Sequence, residues 1–373
     1  MRVGLNDAGI APPWLMRASQ GLALAGGADS FWIPDHLINI VPRSIWNSRH
    51  TGIVHLAPRS DAFLEAWSAL GYMAAKTRFS RIELGVGVTD AGRRHAAVTA
   101  QAAAGLHLLS KGRAILGIGT GERESNAPYG VDWRRPVDRL EEALETIRAL
   151  WESGGELVNR PSEHFYLRDA IFDVPPYRGT RPPIWVAAHG PRMLGITGRL
   201  GDAWFPAWPQ SPDVYGQRLS VVRQAASDAG RDPARIVGAG WFLVFTGATS
   251  SMVDEILESV GARICALTAP ADLWAAHGAH HPLGDNFTGL QDLLPQVIDE
   301  PTALEYARAV PPGLLRSLAL CGTATEVADQ LAEYGRAGLT YPVLTNASLY
   351  FHLRLGLTAV PAMVGLMRRL RRI

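Results

Sequence analysis

The chain has 373 residues, 47% of them apolar and 19% charged, with a formal net charge of +1. That balance excludes a disordered or fibrous chain, and it gives no general attraction to nucleic acid or to an anionic membrane surface. Only two of the 36 basic residues are lysines, Lys76 and Lys111, so anion recognition falls to arginines, backbone amides and helix ends.

The start, "MRVGLNDAGIAPPW", lacks the charged segment, apolar run and small-residue cleavage site of a secretory signal. No stretch reaches the roughly 18 apolar residues of a spanning helix. The expectation is a cytoplasmic protein whose partner is a small molecule. From there, short apolar strands alternate with segments of helical period. The predicted strands are Arg2 to Asn6, Ser30 to Ile33, Ile82 to Val88, Ala114 to Ile118, Pro183 to Ala187, Ala203 to Phe205, Ile236 to Val244 and Tyr341 to Asn346. The predicted helices are Pro13 to Ala25, Ala62 to Ala75, Arg94 to Leu109, Pro136 to Trp151, Arg192 to Leu200, Pro212 to Ala229, Met252 to Ile264 with Thr325 to Ala337, and Phe351 to Leu370. Eight strands with alternating helices predict a closed (β/α)8 TIM barrel of the α/β class rather than an open doubly wound sheet.

Three segments interrupt the repeat at about 37–60, 152–182 and 268–312. Nothing in composition cuts the chain, so the reading is one domain, 1–373, with three insertions. The first and third follow strands and so belong to the carboxyl end of the barrel, where such enzymes keep their chemistry. Cys265 and Cys321 have neither metal spacing nor disulfide density and read as reduced thiols in the interior.

Three strand ends carry the candidate chemistry. In "WIPDHL", Asp35 and His36 follow the second strand. His36 suits a general acid or base and Asp35 suits orienting it or meeting a ligand; the other reading is a helix cap beside a packed loop histidine. In "LGIGTGE", Gly117, Gly119 and Gly121 end the fourth strand ahead of Glu122. A Rossmann fingerprint needs a glycine where Glu122 stands, so two readings remain: a bare strand end against a planar ring, with Glu122 at its edge, or a glycine turn with a solvated acid. In "WVAAHGPRM", the fifth strand ends at Ala187 or Ala188, and His189, Gly190 and Pro191 open a helix whose free amides suit a phosphate. His280 and His281 are adjacent, point apart and have no carboxylate at helical spacing, so no metal is expected. The terminal "RRLRRI" reads as cations complementing a helix dipole, with an anionic membrane surface as the other reading.

Taken together, Asp-His, Gly-Thr-Gly-Glu and Ala-Ala-X-Gly-Pro at successive strand ends resemble the luciferase-like barrel superfamily. They are most similar to its branch that uses the deazaflavin coenzyme F420, which includes glucose-6-phosphate dehydrogenases and methylenetetrahydromethanopterin reductases. "VTDAGRRHAAVTAQAA", "GRAILGIGTGERE", "PPYRG", "WVAAHGPRM" and "ASDAGRDP" are similar above all to the mycobacterial ketoreductases acting on phthiodiolone-type lipid ketones. The resemblance implies His36 and Glu122 as catalytic residues, and Asp35, Gly87, Val88, Thr120, Gly121, Ala187, Ala188, His189 and Gly190 around the coenzyme. It also implies a cis peptide between Gly87 and Val88, and Trp46 as an aromatic wall over the substrate. Trp204 and Trp208, after the sixth strand, would add apolar area for a hydrocarbon-bearing ketone. Two departures stand out. The sugar-phosphate dehydrogenases have an asparagine three residues after the glutamate, where this chain has Ser125 and then Asn126. Their lysines at the barrel mouth are also missing, since Lys76 and Lys111 both precede strands. The implied activity is hydride transfer between reduced F420 and a hydrophobic ketone, in a homodimer. An FMN-dependent monooxygenase is the enzyme alternative, and a non-catalytic coenzyme- or lipid-binding barrel is the alternative of another class.

Overall fold

The computed structural model describes residues 1–208 and 211–372. Eight parallel strands form the barrel: β1 (Gly4–Asn6), β2 (Ser30–Ile33), β3 (Glu83–Asp90), β4 (Ala114–Gly119), β5 (Ile184–Val186), β6 (Ala203–Trp204), β7 (Val237–Gly247) and β8 (Tyr341–Asn346). Each pairs with the next, and β8 closes the ring by pairing with both β7 and β1. All eight predicted strands are present, in the predicted order. The outer helices include α1 (Pro13–Gly26), α2 (Ala66–Lys76), α3 (Ala96–Leu109), α4 (Pro136–Glu152), α5 (Pro191–Leu200) and α6 (Pro212–Asp228). They also include α7 (Ala324–Arg336) and α8 (Leu353–Leu370). No helix among the described residues is long and apolar enough to cross a membrane.

Strand alternation fixes what fills the barrel. In β2, Phe31 and Ile33 join the layer under the helices while Trp32 joins the barrel interior, with Ile115, Trp185, Ala203, Phe205, Ala239, Tyr341 and Val343. Trp32 and Tyr341 each lie 4.9 Å from Trp185 by ring centroid. The Trp32 indole N–H donates to Ser30 Oγ at 2.6 Å, so its one polar atom is satisfied. Room for this ring comes from the neighbouring strand: a Cβ on Gly85 would lie 2.3 Å from the Trp32 ring.

The helix predicted over Met252 to Ile264 is two, Ser250–Leu257 and Val260–Ile264, because Ser259 accepts from the Ala262 amide and starts the second as an N-cap. A strand at Leu320–Thr323, not predicted, pairs with the far half of β7 from Val244 to Gly247. Four residues ending in the Thr323/Glu326 capping box of α7 carry too short a period to register as a strand. The terminal arginines act as helix caps: Arg368 donates to Ala25 O at 2.8 Å and Arg371 to Gly27 O at 2.8 Å, on the carbonyls ending α1.

The insertions are ordered. The second contains an antiparallel pair, Val158–Arg160 with Leu167–Ala170, and it joins α4 to β5, on the face away from the chemistry. The first and third pack into one apolar cluster, in which Ile45, Trp46 and Ile53 join Trp274, Leu293 and Ile298 together with Leu243 and Phe245 of β7. His50 Nε2 lies 3.0 Å from Glu300 Oε1 across them. Together they roof the carboxyl end of the barrel.

Candidate active site

At the mouth the interior changes character. Period two puts Gly87, Gly117 and Gly119 on the inward side of β3 and β4, the first two directly above the Trp32 ring. The peptide between Gly87 and Val88 is cis, and the register between β3 and β4 shifts between Val86 and Thr89. Val88 therefore also turns inward, over Gly117 and Gly119. A Cβ on Gly117 would sit 2.1 Å from Val86 O, and one on Gly119 would sit 3.3 Å from the Ala187 methyl. The result is a rim of backbone to which Val88 and Ala187 add small aliphatic side chains.

Gly121 continues this rim, with φ +76° and a virtual Cβ only 1.9 Å from Asp90 Oδ2. Asp90, ending β3, is buried and accepts from the amides of Gly92 at 2.6 Å and Arg93 at 3.1 Å, and from Asn126 Nδ2. Burial raises its pKa against those bonds. Asn126 also donates to Glu122 O at 2.7 Å, so a buried acid, an amide side chain and a glycine hold the backbone that presents Glu122. Thr120 and Gly121 are partly exposed beside it.

His36 is brought to this edge. Its Nδ1 is 3.1 Å from Glu124 Oε1 and 3.9 Å from Glu122 Oε2, and the three reactive groups lie within 4.8 Å of one another. Exposure separates the two acids: the Glu122 side chain is 26% exposed and that of Glu124 is 1%. Burial opposes the imidazolium, but the Glu122 charge and the Glu124 hydrogen bond outweigh it and lift His36 to about 9. Burial, helped by the charges of Glu124 and Asp90 and opposed by His36 and Arg93, pushes Glu122 up to about 7. Both pKa values are thus raised, by burial for the acid and by the two carboxylates for the imidazole, as at sites that handle protons.

Asp35 has a different place from the one expected. Its side chain is almost wholly buried, paired with Arg93 at 3.0 Å and accepting from Thr89 Oγ1 at 2.7 Å. Its carboxylate is thereby used within the protein, tying the end of β2 to β3. Ala188 is buried, with its carbonyl accepting from Trp204; His189 and Gly190 are exposed, and Gly190 caps α5 ahead of Pro191.

Of the three tryptophans expected at the substrate, Trp204 requires correction. It is 1% exposed, stacks on Tyr215 of α6 at 4.8 Å and donates to Ala188 O at 2.8 Å. Alternation turns it toward the helices, and Phe205 is the residue facing inward. Trp46 is 7% exposed and donates to Ala57 O at 2.8 Å, so little of its side chain is open. Trp208 packs edge-on to Trp241 at 4.9 Å, a partner the sequence reading did not name. Glu124, Asp90 and Arg93 were likewise not expected, and Asn126, expected only one position beyond the relatives' asparagine, donates to Asp90 and to Glu122 O. His280 pairs with Asp285 at 2.9 Å, while His281 is buried against Trp274 and Phe287, so the two histidines serve separate contacts.

Several buried polar atoms around the rim lack a protein partner: Asn6 Oδ1, Arg93 Nη1, Glu124 Oε2 and Asn126 Oδ1. Asn6 Oδ1 lies 3.6 Å from where a Cβ on Gly87 would be. Buried polar atoms are seldom left unpaired, so this rim suits a flat ligand bearing both donors and acceptors.

The model of the luciferase-like monooxygenase family matches residues 21–341. Over 377 residues the chain is 52% identical to a phthiodiolone/phenolphthiodiolone dimycocerosates ketoreductase of Mycobacterium sp. (strain JLS), covering 100% of this chain and 99% of that protein. It is 36% identical over 217 residues, 56% of this chain and 57% of the relative, to an F420-dependent glucose-6-phosphate dehydrogenase of Kineococcus radiotolerans. An F420-dependent secondary alcohol dehydrogenase solved with an F420-acetone adduct has a similar fold, with TM-score 0.72 at 18% identity, covering 98% of this chain and 99% of the other. The barrel, its bare rim and these matches agree: the chain belongs to the luciferase-like monooxygenase family.

Proposed function

We propose that this chain is an F420-dependent oxidoreductase that reduces the carbonyl of a hydrophobic, lipid-like ketone. The observation that carries the reading is His36 meeting Glu122 at the edge of a rim almost free of side chains. The rim fits a planar deazaflavin: Gly117, Gly119 and Gly121 present bare backbone there, and the unpartnered Asn6 oxygen beside Gly87 would accept from a ring N–H group. Gly87, Val88, Thr120, Gly121 and Ala187 would line the ring. Ala188, His189 and Gly190, at the start of α5, would hold a phosphate through free amides.

When bound in its reduced form, the deazaflavin supplies a hydride for the carbonyl carbon. His36 supplies the proton that the carbonyl oxygen then needs. Its Nδ1 is taken by Glu124, and Nε2 has no hydrogen-bond partner among the described residues, so Nε2 is the donor. Glu122, raised to about 7, is the group that in its ionised form would take up a proton at the ring's edge. The roof of the two insertions excludes water, which strengthens these contacts. Trp208, Trp241 and the small exposed part of Trp46 would supply apolar area to the substrate, whereas Lys76 ends α2 and Lys111 precedes β4, both far from the mouth. That placement disfavours a sugar phosphate. The curated ketoreductase of similar sequence supports the ketone reading.

Titration with F420 and, separately, with FMN, followed by a carbonyl screen with the reduced coenzyme, tests this. Saturable F420 binding and loss of reduced coenzyme on an aliphatic ketone are expected. Binding of FMN alone, or F420 binding without turnover on any carbonyl, would overturn it.

A further inference from the structure

We infer that Glu124 is the positioning carboxylate of this site: its bond to His36 Nδ1 orients the imidazole for proton donation from Nε2 and leaves Glu122 free for the ring. The inference rests on the proposed reading of the site and adds a residue to it.

Geometry separates the two acids. Glu124 is within hydrogen-bond distance of Nδ1 at 3.1 Å, whereas Glu122 at 3.9 Å acts on it only through its charge. Glu124 is also the buried one, so its bond to the imidazole is shielded from water, which strengthens it. A second bond runs beside the first: the Leu37 amide donates to Ser125 Oγ at 3.1 Å, and that hydroxyl donates to Glu124 Oε1 at 3.0 Å. Residues 36–37 are thereby clamped to residues 124–125 by two contacts. The third insertion completes the arrangement, because its turn Leu290–Asp292 packs on the turn Arg123–Ser125 that carries Glu124. An insertion with no catalytic group of its own thus seals the acid that holds the catalytic imidazole.

The chemical consequence follows from the histidine's two nitrogens. In the cation both carry protons, and with Nδ1–H donated to Glu124 the proton that leaves is the one on Nε2. The neutral product keeps Nδ1–H and therefore keeps its bond to Glu124, so the ring does not reorient between turnovers. The charged groups around the imidazole are Glu122, Glu124 and Arg93.

The test is the titration of the His36 ring by nuclear magnetic resonance in coenzyme-free protein, its signal assigned with His36→Gln. Wild type, Glu124→Gln and Glu122→Gln are compared, with thermal unfolding as the check on folding. We expect wild type to be the Nδ1–H tautomer when neutral. Glu124→Gln should lower the proton affinity of His36 about tenfold or more and blur the tautomer preference. Its turnover should fall about tenfold or more while the KM for coenzyme stays within about twofold. Glu122→Gln should retain the tautomer. A folded Glu124→Gln protein whose His36 titrates as in wild type would overturn the inference, as would loss of the tautomer in Glu122→Gln alone. Should Glu124→Gln not fold, Glu124→Asp carries the test: the carboxylate, drawn back by one methylene, loses its bond to Nδ1, proton affinity falls in the same direction, and an unchanged midpoint in the folded protein overturns the role. Imidazole shifts as expected, together with no carbonyl reduced by any form, would leave the positioning role standing and remove the proposed reaction.

Discussion

Substituting Gly121 by alanine tests the rim at its tightest point. At φ +76° an L side chain occupies the left-handed region, at about 1–2 kcal/mol. The added Cβ would also lie 1.9 Å from Asp90 Oδ2 and 2.2 Å from its Cγ, too close to keep. Asp90 has little freedom to retreat, because the Gly92 and Arg93 amides and Asn126 all donate to it. Breaking one of these bonds strands a buried polar group at about 1–3 kcal/mol. The sum is roughly 2–5 kcal/mol, which at about 2 °C per kcal/mol for a chain of this size lowers Tm by roughly 4–10 °C. Asn126 also braces the Glu122 backbone, so coenzyme affinity should fall together with Tm. Thermal unfolding and coenzyme titration measure both. Gly105→Ala is the control: it lies inside α3 with open space around it and should be neutral or stabilising by about 0.5–1 kcal/mol. A Gly121→Ala protein that unfolds and binds like wild type would refute the reasoning.

Two further substitutions separate roles at and near the site. The reductive rate should rise as Glu122 ionises near 7 and fall as His36 loses its proton near 9. His36 has a raised pKa, so its acid form is present below about 9 and lost above; removing the Glu122 charge in Glu122→Gln should move the alkaline limb to lower pH, abolish the acid limb and slow the step, and an unmoved profile would count against both roles. Trp204→Ala should destabilise the fold by about 3–5 kcal/mol, read by denaturant unfolding, with substrate KM unchanged wherever the protein is folded; a raised KM with wild-type stability would return Trp204 to the substrate.

The strands were legible because each is a short apolar run bounded by glycine, proline or polar residues, and the inward glycines of β3 and β4 follow from period two alone. The same rule at β6 turns Trp204 outward and Phe205 inward, so aromatic content without the alternation places Trp204 wrongly at the substrate. Glu124 was illegible for another reason. Its partner is 88 residues away, and its burial depends on a turn of the third insertion, which has no periodic signal in the sequence. Asp35 was visible at a strand end, but its engagement by Arg93 and Thr89 is likewise a tertiary fact. Local period announces where the backbone goes; it does not say which carboxylate a histidine finds there.

In the proposed reaction His36 acts as the acid at a rim that it does not itself build. The direct measurement is His36→Ala, assayed for coenzyme affinity by titration and for carbonyl reduction under single turnover. Affinity within about threefold of wild type, with reduction slowed about 100-fold or more, is the predicted result. Unchanged reduction, or affinity lost in step with rate, would contradict it.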